Sequence, residues 1–419
     1  MRRVALVLFL TLLGIQPHAA AARDSLSAFS EPGQGDSPAL SLIGSARHSI
    51  RLEVYEMTDR TVEAALGRAA RRGVNVRVML EERPYGGGRY AREAYDALRS
   101  DGVNVRWANE GAFTYTHEKA MVVDTAVAGI FTFNLTGSGQ FSNREFGVID
   151  RSAPDARTLA AVFDADWARR TPRIGSTRLV LSPINARSDL DRLISGAHHT
   201  LDVYAEEVDD ADLESRLTGA AHHHVRVRLI TSADSSGVSF LRRGGVKVHI
   251  MASPYVHAKA IVADRNRVFI GSENISFTSL DHNREAGILV TDRAVANVVE
   301  RTFRGDWGGS GAPPPVTPPP PPAGSHGVQV TASPSSVTRG QLLTITARTT
   351  NGASCGITVT YPDGYVSHAG ALQGQKTAAG GTVSWSWHVG STVTGTARAD
   401  VRCTVGNRTE TGSTTFQIT

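Results

Sequence analysis

Two short stretches of this chain carry the same reactive side chains in the same order. Tyr115-Thr116-His117-Glu118-Lys119 runs on to Asp124, and Tyr255-Val256-His257-Ala258-Lys259 runs on to Asp264. Both read H-x-K-x4-D, and they are offset by 140 residues (257 − 117). The offset continues without a gap. Asn134 matches Asn274, Asn143-Arg144-Glu145 matches Asn283-Arg284-Glu285, and Phe163, Asp166 and Trp167 match Phe303, Asp306 and Trp307. Histidine can serve as a neutral nucleophile or as a proton donor near neutral pH. Lysine and amide side chains supply fixed positive charge and N–H donors to a developing anion. A duplicated set of this kind implies one active site assembled from two halves.

A single H-x-K carries little weight, because an exposed His and Lys on a strand are usually just solvated. The same holds for a single N-R-E. Two copies in register, each with Asn 17 and N-R-E 26 residues after its histidine, carry much more. The pattern resembles the phospholipase D superfamily, over roughly residues 35–308. That resemblance implies two α/β halves related by pseudo-twofold symmetry. It also implies cleavage or transfer of phosphodiesters through a covalent phosphohistidine. On a strand, residues i and i+2 share a face, so His117 projects with Lys119 and His257 with Lys259. Lys119 and Lys259 would neutralise the phosphate oxygens. Asn134 and Asn274 would donate to the same oxygens, with Thr132 and Ser272 two residues before them. Glu145 and Glu285 would each hold an imidazole in the right tautomer. The resemblance points to His117 as nucleophile and His257 as general acid and base. No metal or other cofactor is required by this chemistry. Asp124 and Asp264 read as turn caps behind their strands. The second copy fits the family pattern best, with Gly271-Ser272-Glu273-Asn274. The first has Phe131-Thr132-Phe133-Asn134 instead, which keeps a hydroxyl and adds bulk.

Strands and helices alternate around these motifs. A strand at Ser49–Tyr55, a helix at about 60–72 ending on Gly73, and a strand at Val74–Leu80 are repeated as Thr200–Tyr204, a helix to about His223, and Val225–Ile230. Alternation of this kind predicts α/β units with a covered sheet. The halves run over about 23–172 and 173–308. A Gly-rich piece from Glu81 to Arg92, with Gly86-Gly87-Gly88, reads as an exposed loop or a lip over the cleft. His222-His223-His224 reads as a polar turn at a helix end, and Trp167 and Trp307 as anchors of each half's last helix.

The flanks differ in texture. Arg2 and Arg3 precede an apolar run from Val4 to Ile15 and then Ala20-Ala21-Ala22, which reads as a signal peptide over 1–22. The run is shorter than the ~20 residues of a spanning helix. These features predict a secreted protein. A Gly/Ser and then Pro-rich stretch over 309–324 reads as a semi-rigid linker. Residues 325–419 alternate short Thr-, Ser- and Val-rich runs with turns, which predicts an all-β sandwich resembling the immunoglobulin-like modules of secreted enzymes. Its two cysteines, Cys355 and Cys403, are the only ones in the chain and are expected to pair.

Hydrophobic content of 41% and charged content of 20% are those of a folded soluble protein. Net charge is +4, or +2 once Arg2 and Arg3 leave (4 − 2), which does not resemble the field of a dedicated nucleic-acid binder. The expected function is therefore a secreted phosphoric diester hydrolase of phospholipase D type. It would hydrolyse a phospholipid head group or exchange it for another alcohol, with transient contact at a membrane surface. A secreted nuclease or other phosphodiesterase of the same superfamily is the first alternative. The second is a surface-binding protein with a vestigial catalytic part. The ligand of the sandwich is left open, and a monomer is expected.

Overall fold

The computed structural model describes residues 26–308 and 328–419. Excepted are 85–87 and 137–138 in the first stretch, and 334–335, 340, 363–365, 368, 370–371, 373, 379–380, 390–392 and 407 in the second. The expected signal peptide, Gly86 and Gly87 of the Gly-rich piece, and the 309–324 linker lie outside the described residues. The chain divides into two compact units, Met1–Pro314 and Pro315–Thr419.

The first unit contains two seven-stranded sheets of the same order. From one edge, the first sheet runs Leu26–Glu31, Glu145–Asp150, Val127–Phe131, Lys119–Val123, Ser49–Val54, Asn75–Leu80 and Asn104–Trp107. The second runs Leu179–Ser182, Glu285–Thr291, Arg267–Gly271, Ala260–Ala263, Thr200–Tyr204, Arg226–Thr231 and Lys247–Ile250. In each sheet the last three strands are parallel and joined by helices, while the rest pair antiparallel. Burial on both faces explains the continuous apolar runs. Lys119–Val123 and Ala260–Ala263 are buried at every position.

Local signals match these elements. Asp59 caps the helix Arg60–Arg71 by accepting from the Thr61 and Val62 N–H groups, and Asp210 caps Ala211–His222 through Leu213 N. Gly73 ends the first helix at φ +90°, a left-handed turn that favours glycine. Its counterpart is His224 at φ +65°, so the histidine run is an exposed helix end.

Among the described residues, three large apolar cores and a small one around Met79, Ala108 and Phe163 fill this unit. One is confined to the first half, around Leu52, Leu66 and Val78. A second is confined to the second half, around Leu201, Leu217 and Leu229. The third is shared and joins Val122, Ile130, Phe146 and Leu159 to Val262, Ile270, Ile288 and Phe303. The two sheets therefore face a common core that also takes in the last helix of each half, through Leu159 and Val162 and through Val299 and Phe303, while the other long helices cover the outer faces. Trp167 and Trp307 are half-buried at the ends of the last helices, stacked on Phe163 and Phe303.

The second unit is all-β. A three-stranded sheet (Gln329–Ser333, Leu342–Arg348, Thr382–His388) shares one core with a five-stranded sheet, with Trp385 fully buried between them. Cys355 and Cys403 form a disulfide. They sit directly opposite one another on adjacent strands, Ser354–Thr360 and Gly395–Val405, of the five-stranded sheet. The bridge thus pins two strands within one sheet, whereas the antibody-type bridge ties two sheets together.

Candidate active site

The site is built by the seam between the halves. The H-x-K segments were expected inside strands, but regular pairing starts only at Lys119 and Ala260. The residues just before pair instead with the N-R-E segment of the opposite half. His117 N donates to Arg284 O at 2.8 Å, and Arg284 N donates to Tyr115 O at 2.9 Å. Reciprocally, Arg144 N donates to Tyr255 O at 2.7 Å and His257 N to Arg144 O at 3.3 Å. Strand-like alternation persists through these crossings, so His and Lys of each motif still share a face.

Crossing of the backbones crosses the side chains. His117 Nδ1 lies 2.9 and 3.0 Å from the two carboxylate oxygens of Glu285, 168 residues away. His257 Nδ1 lies 2.6 Å from Glu145 Oε1, an ion-pair contact without the alignment of a hydrogen bond. Each half therefore supplies the carboxylate that orients the other half's imidazole. A carboxylate at Nδ1 leaves Nε2 of each ring as the reacting nitrogen.

Further groups fix these carboxylates. Ser279 Oγ donates to Glu285 Oε1 at 2.7 Å and Asn283 Nδ2 at 3.1 Å. Thr132 Oγ1 donates to Glu145 Oε2 at 2.5 Å and accepts from Phe146 N. Ser272 stands at Glu285 in the same way and accepts from Ala286 N. Thr132 and Ser272 were expected on the phosphate. Both are fully buried, and their hydroxyls serve the carboxylates and the backbone. Asn134 Nδ2 reaches Glu56 Oε2 at 3.4 Å, and Asn274 is held through its backbone N–H by Ser279 Oγ.

The lysines are buried. Lys119 Nζ donates to the His117 carbonyl and Lys259 Nζ to the His257 carbonyl, each at 2.5 Å, which tethers each ammonium beside its own imidazole. Lys119 lies under the Tyr55 ring, 5.2 Å from its centroid. Lys259 instead pairs with Glu206 Oε2 at 2.6 Å. Tyr55 and Glu206 occupy matching positions, two residues past the facing residues Glu53 and Tyr204, which pair with Ala120 and Ala260.

Burial is the main force on the ionisable groups. It lowers His117 to about 4; Glu285 opposes the shift, and Lys119 reinforces burial. It also lowers Lys119 to about 7, against the pull of Glu285. Burial would raise Glu285, but His117 and Lys119 outweigh it and hold the carboxyl below its ordinary value. At neutral pH the His117 imidazole is therefore uncharged.

Asp124 and Asp264 lie away from this chemistry. Each sits at φ +51° and accepts from three backbone N–H groups at the head of a neighbouring strand: Arg47, His48 and Ser49, or His198, His199 and Thr200. They close turns, as expected. The arginines of the two N-R-E triplets had no assigned role. Arg144 forms a fully buried bidentate pair with Asp306, and Arg284 pairs likewise with Asp166, so each clamps one half to the last helix of the other. Glu206 was also missed. Its signal was present in the doubled acid Glu206-Glu207 at the C-terminal end of a strand, where open α/β sheets bind ligands.

Residues 39–167 and 190–307 match the family described as "Cardiolipin synthase, PLD-like domain", one match in each half. Cardiolipin synthase A of Yersinia pseudotuberculosis is 24% identical over 307 residues, covering 59% of this chain. The chain spans 62% of the length of that curated relative. Among solved structures, a polyphosphate kinase from Porphyromonas gingivalis superposes with a TM-score of 0.55 at 15% identity, covering 67% of this chain and 50% of its own. Phosphatidylserine synthase from Haemophilus influenzae Rd KW20 superposes at 0.50 and 11% identity, covering 65% and 84%. These two likenesses concern the fold. With both matched regions together covering more than half of its length, the chain belongs to the phospholipase D superfamily and carries one phospholipase D-like domain in each half.

Proposed function

We propose that this protein is a phospholipase D-type phosphodiesterase that releases or exchanges phospholipid head groups through a phosphohistidine. The observation that carries this reading is the crossed pairing, which turns both imidazoles and both lysines toward one seam. In the first step the Nε2 lone pair of His117 attacks phosphorus. The bond from phosphorus to the head-group oxygen breaks, and that oxygen takes the proton from His257 Nε2. In the second step water, or an acceptor alcohol, attacks phosphorus and gives its proton to His257 Nε2. The P–N bond breaks and its electrons return to His117. Glu285 stabilises the charge on His117 while the intermediate exists. Lys119 and Lys259 stabilise the non-bridging oxygens.

A lipid is favoured over a nucleic acid by the charges around the lysines. Glu56, Glu206 and Glu207 lie close enough to feel Lys119 or Lys259. They offset the positive field that a polyanion would need along its backbone. Export is supported by the apolar N-terminal run behind Arg2 and Arg3. Among the described residues, no helix is long and apolar enough to cross a membrane. The test is head-group release from defined phospholipid vesicles, with and without added alcohol, beside digestion of plasmid DNA. Release of the head group with intact DNA is the expected result. Cleavage of DNA with unchanged lipid would replace this reading with the nuclease.

A further inference from the structure

Glu206 takes no part in the two displacement steps, yet it stands on the atoms that perform them. Its Oε2 accepts from Lys259 Nζ at 2.6 Å and lies 3.5 Å from His257 Nε2. Its Oε1 accepts from the Tyr255 hydroxyl at 3.2 Å. Its side chain is only 17% exposed. Lys259 Nζ is the donor that a non-bridging phosphate oxygen needs, and His257 Nε2 is the donor that the leaving oxygen needs. Two donors, Lys259 Nζ and the Tyr255 hydroxyl, thus converge on one carboxylate beside His257 Nε2, in the place where the chemistry requires a phosphate.

We propose that Glu206 is the resident anion of the second-half phosphate seat, and that a phosphodiester must displace it before it can react. The inference rests on the phosphodiester reading above. Like charges a few ångströms apart in a site of reduced dielectric repel by several kcal/mol, so the two anions cannot share the seat. Burial alone would raise the Glu206 carboxyl. Lys259, and after it His257, hold it well below the ordinary carboxylate range instead, so it is an anion at any physiological pH.

The first half offers the contrast. Tyr55 occupies the matching position, with its ring 4.6 Å from the His117 ring and over Lys119. Among the described residues no ion pair forms at Lys119. The first-half lysine is therefore covered by an aromatic ring and carries no paired carboxylate among those residues, whereas the second-half lysine is paired to one. A substrate phosphate lands against His117 and Lys119 and exchanges with Glu206 as it settles on Lys259. A small anion has no other contacts with which to drive that exchange. A substrate with a bound diacylglycerol portion does, and its remote binding energy is spent on the displacement. Glu206 is thus a specificity residue that discriminates against free oxyanions.

The test is calorimetric titration of inorganic phosphate onto the full chain at fixed ionic strength. The wild type is compared with Glu206→Gln, which removes the charge, Glu206→Ala, which vacates the seat, and Glu207→Gln. Glu207 is a neighbouring carboxylate that also feels Lys259. Phosphate is expected to bind about tenfold tighter or more to both Glu206 variants. Glu207→Gln should tighten it by no more than about threefold, as a screened charge that blocks no donor. If Glu206→Ala fails to fold, the near-isosteric Glu206→Gln decides. Unchanged, weaker or undetectable phosphate binding by the Glu206 variants would overturn the proposal. So would equal tightening by Glu207→Gln, because general charge removal would then explain the effect. The measurement needs no turnover. A protein that tightened on phosphate but released no head group would keep this inference and lose the lipid reading.

Discussion

The two halves of the catalytic unit share strand order, register and motif spacing, and they differ at a handful of side chains where the chemistry is decided. Tyr55 in the first half is Glu206 in the second. One lysine is consequently covered by an aromatic ring and the other is paired to a carboxylate. Gly139 is Ser279, so Glu285 gains a hydroxyl donor that Glu145 lacks. Glu118, buried between the His and Lys of the first motif and pushed up to about 8 by burial, is Ala258 in the second. A duplicated backbone delivers two equivalent sets of reacting groups. In the proposed mechanism the residues at strand ends then divide the work, with the His117 side the place of attack and the His257 side the place of proton transfer.

The sharpest way to break this division is to remove each imidazole in turn. His117→Ala and His257→Ala should each lower turnover of a phospholipid on the order of 10⁴-fold, and the double variant should be little worse, because both belong to one unit. The halves should part with a nitrophenyl-type phosphodiester, whose leaving group needs no proton. His257→Ala should then give a burst and a phosphorylated peptide containing His117, while His117→Ala gives neither. Label on His257 in the His117→Ala protein would reverse the roles. Absence of label in both, with inversion at phosphorus, would mean direct attack by water.

A second comparison should come out equal. Arg144 and Arg284 are each fully buried, each bidentate to an aspartate of the opposite half, and each donate to an edge-strand carbonyl, Glu31 O or Ser182 O. Replacing either by alanine strips a buried carboxylate of its guanidinium, Asp306 keeping only the Tyr204 hydroxyl, and should cost about 3–5 kcal/mol. Denaturant unfolding should give the two variants similar losses. A large inequality would show that the seam is held chiefly from one side.

How much of this was legible follows the same line. The duplicated motifs, the α/β halves and the all-β tail follow from spacing and periodicity, because each is repeated or local. Asp124 and Asp264 were readable as turn caps for the same reason. Phe131 looked like a defect of the first copy, yet it packs with Phe29 and Phe133 in the first-half core and leaves the site side to Thr132. Side-chain direction on a strand depends on register, and that was not available for one residue in isolation. The crossed pairs His117–Glu285 and His257–Glu145 were hidden because 168 and 112 residues (257 − 145) separate partners brought together by the seam. Glu206 was hidden because the duplicated motif has no counterpart for it. Residues that break the internal symmetry cannot be found by looking for repetition.

The smallest expected effect concerns the two groups whose burial sets the working pH. His117 must be neutral to attack, and burial lowers it to about 4. Lys119 must be charged to hold the phosphate, and burial lowers it to about 7. For a nitrophenyl-type substrate the protonation of the leaving oxygen drops out, so the pH dependence of kcat/KM reports these two groups in the free enzyme. The signs are opposite. Activity should rise as pH passes upward through about 4, where His117 gives up its proton. It should fall as pH passes upward through about 7, where Lys119 does the same. Lys119→Arg separates them, because a guanidinium stays charged throughout the accessible range. The variant should be slower at its optimum, since a planar fork does not fit a seat built for an ammonium, but its activity should no longer fall near neutral pH. An alkaline limb that persisted unchanged in Lys119→Arg would assign it to another group and remove Lys119 from the pH-sensitive side of the comparison.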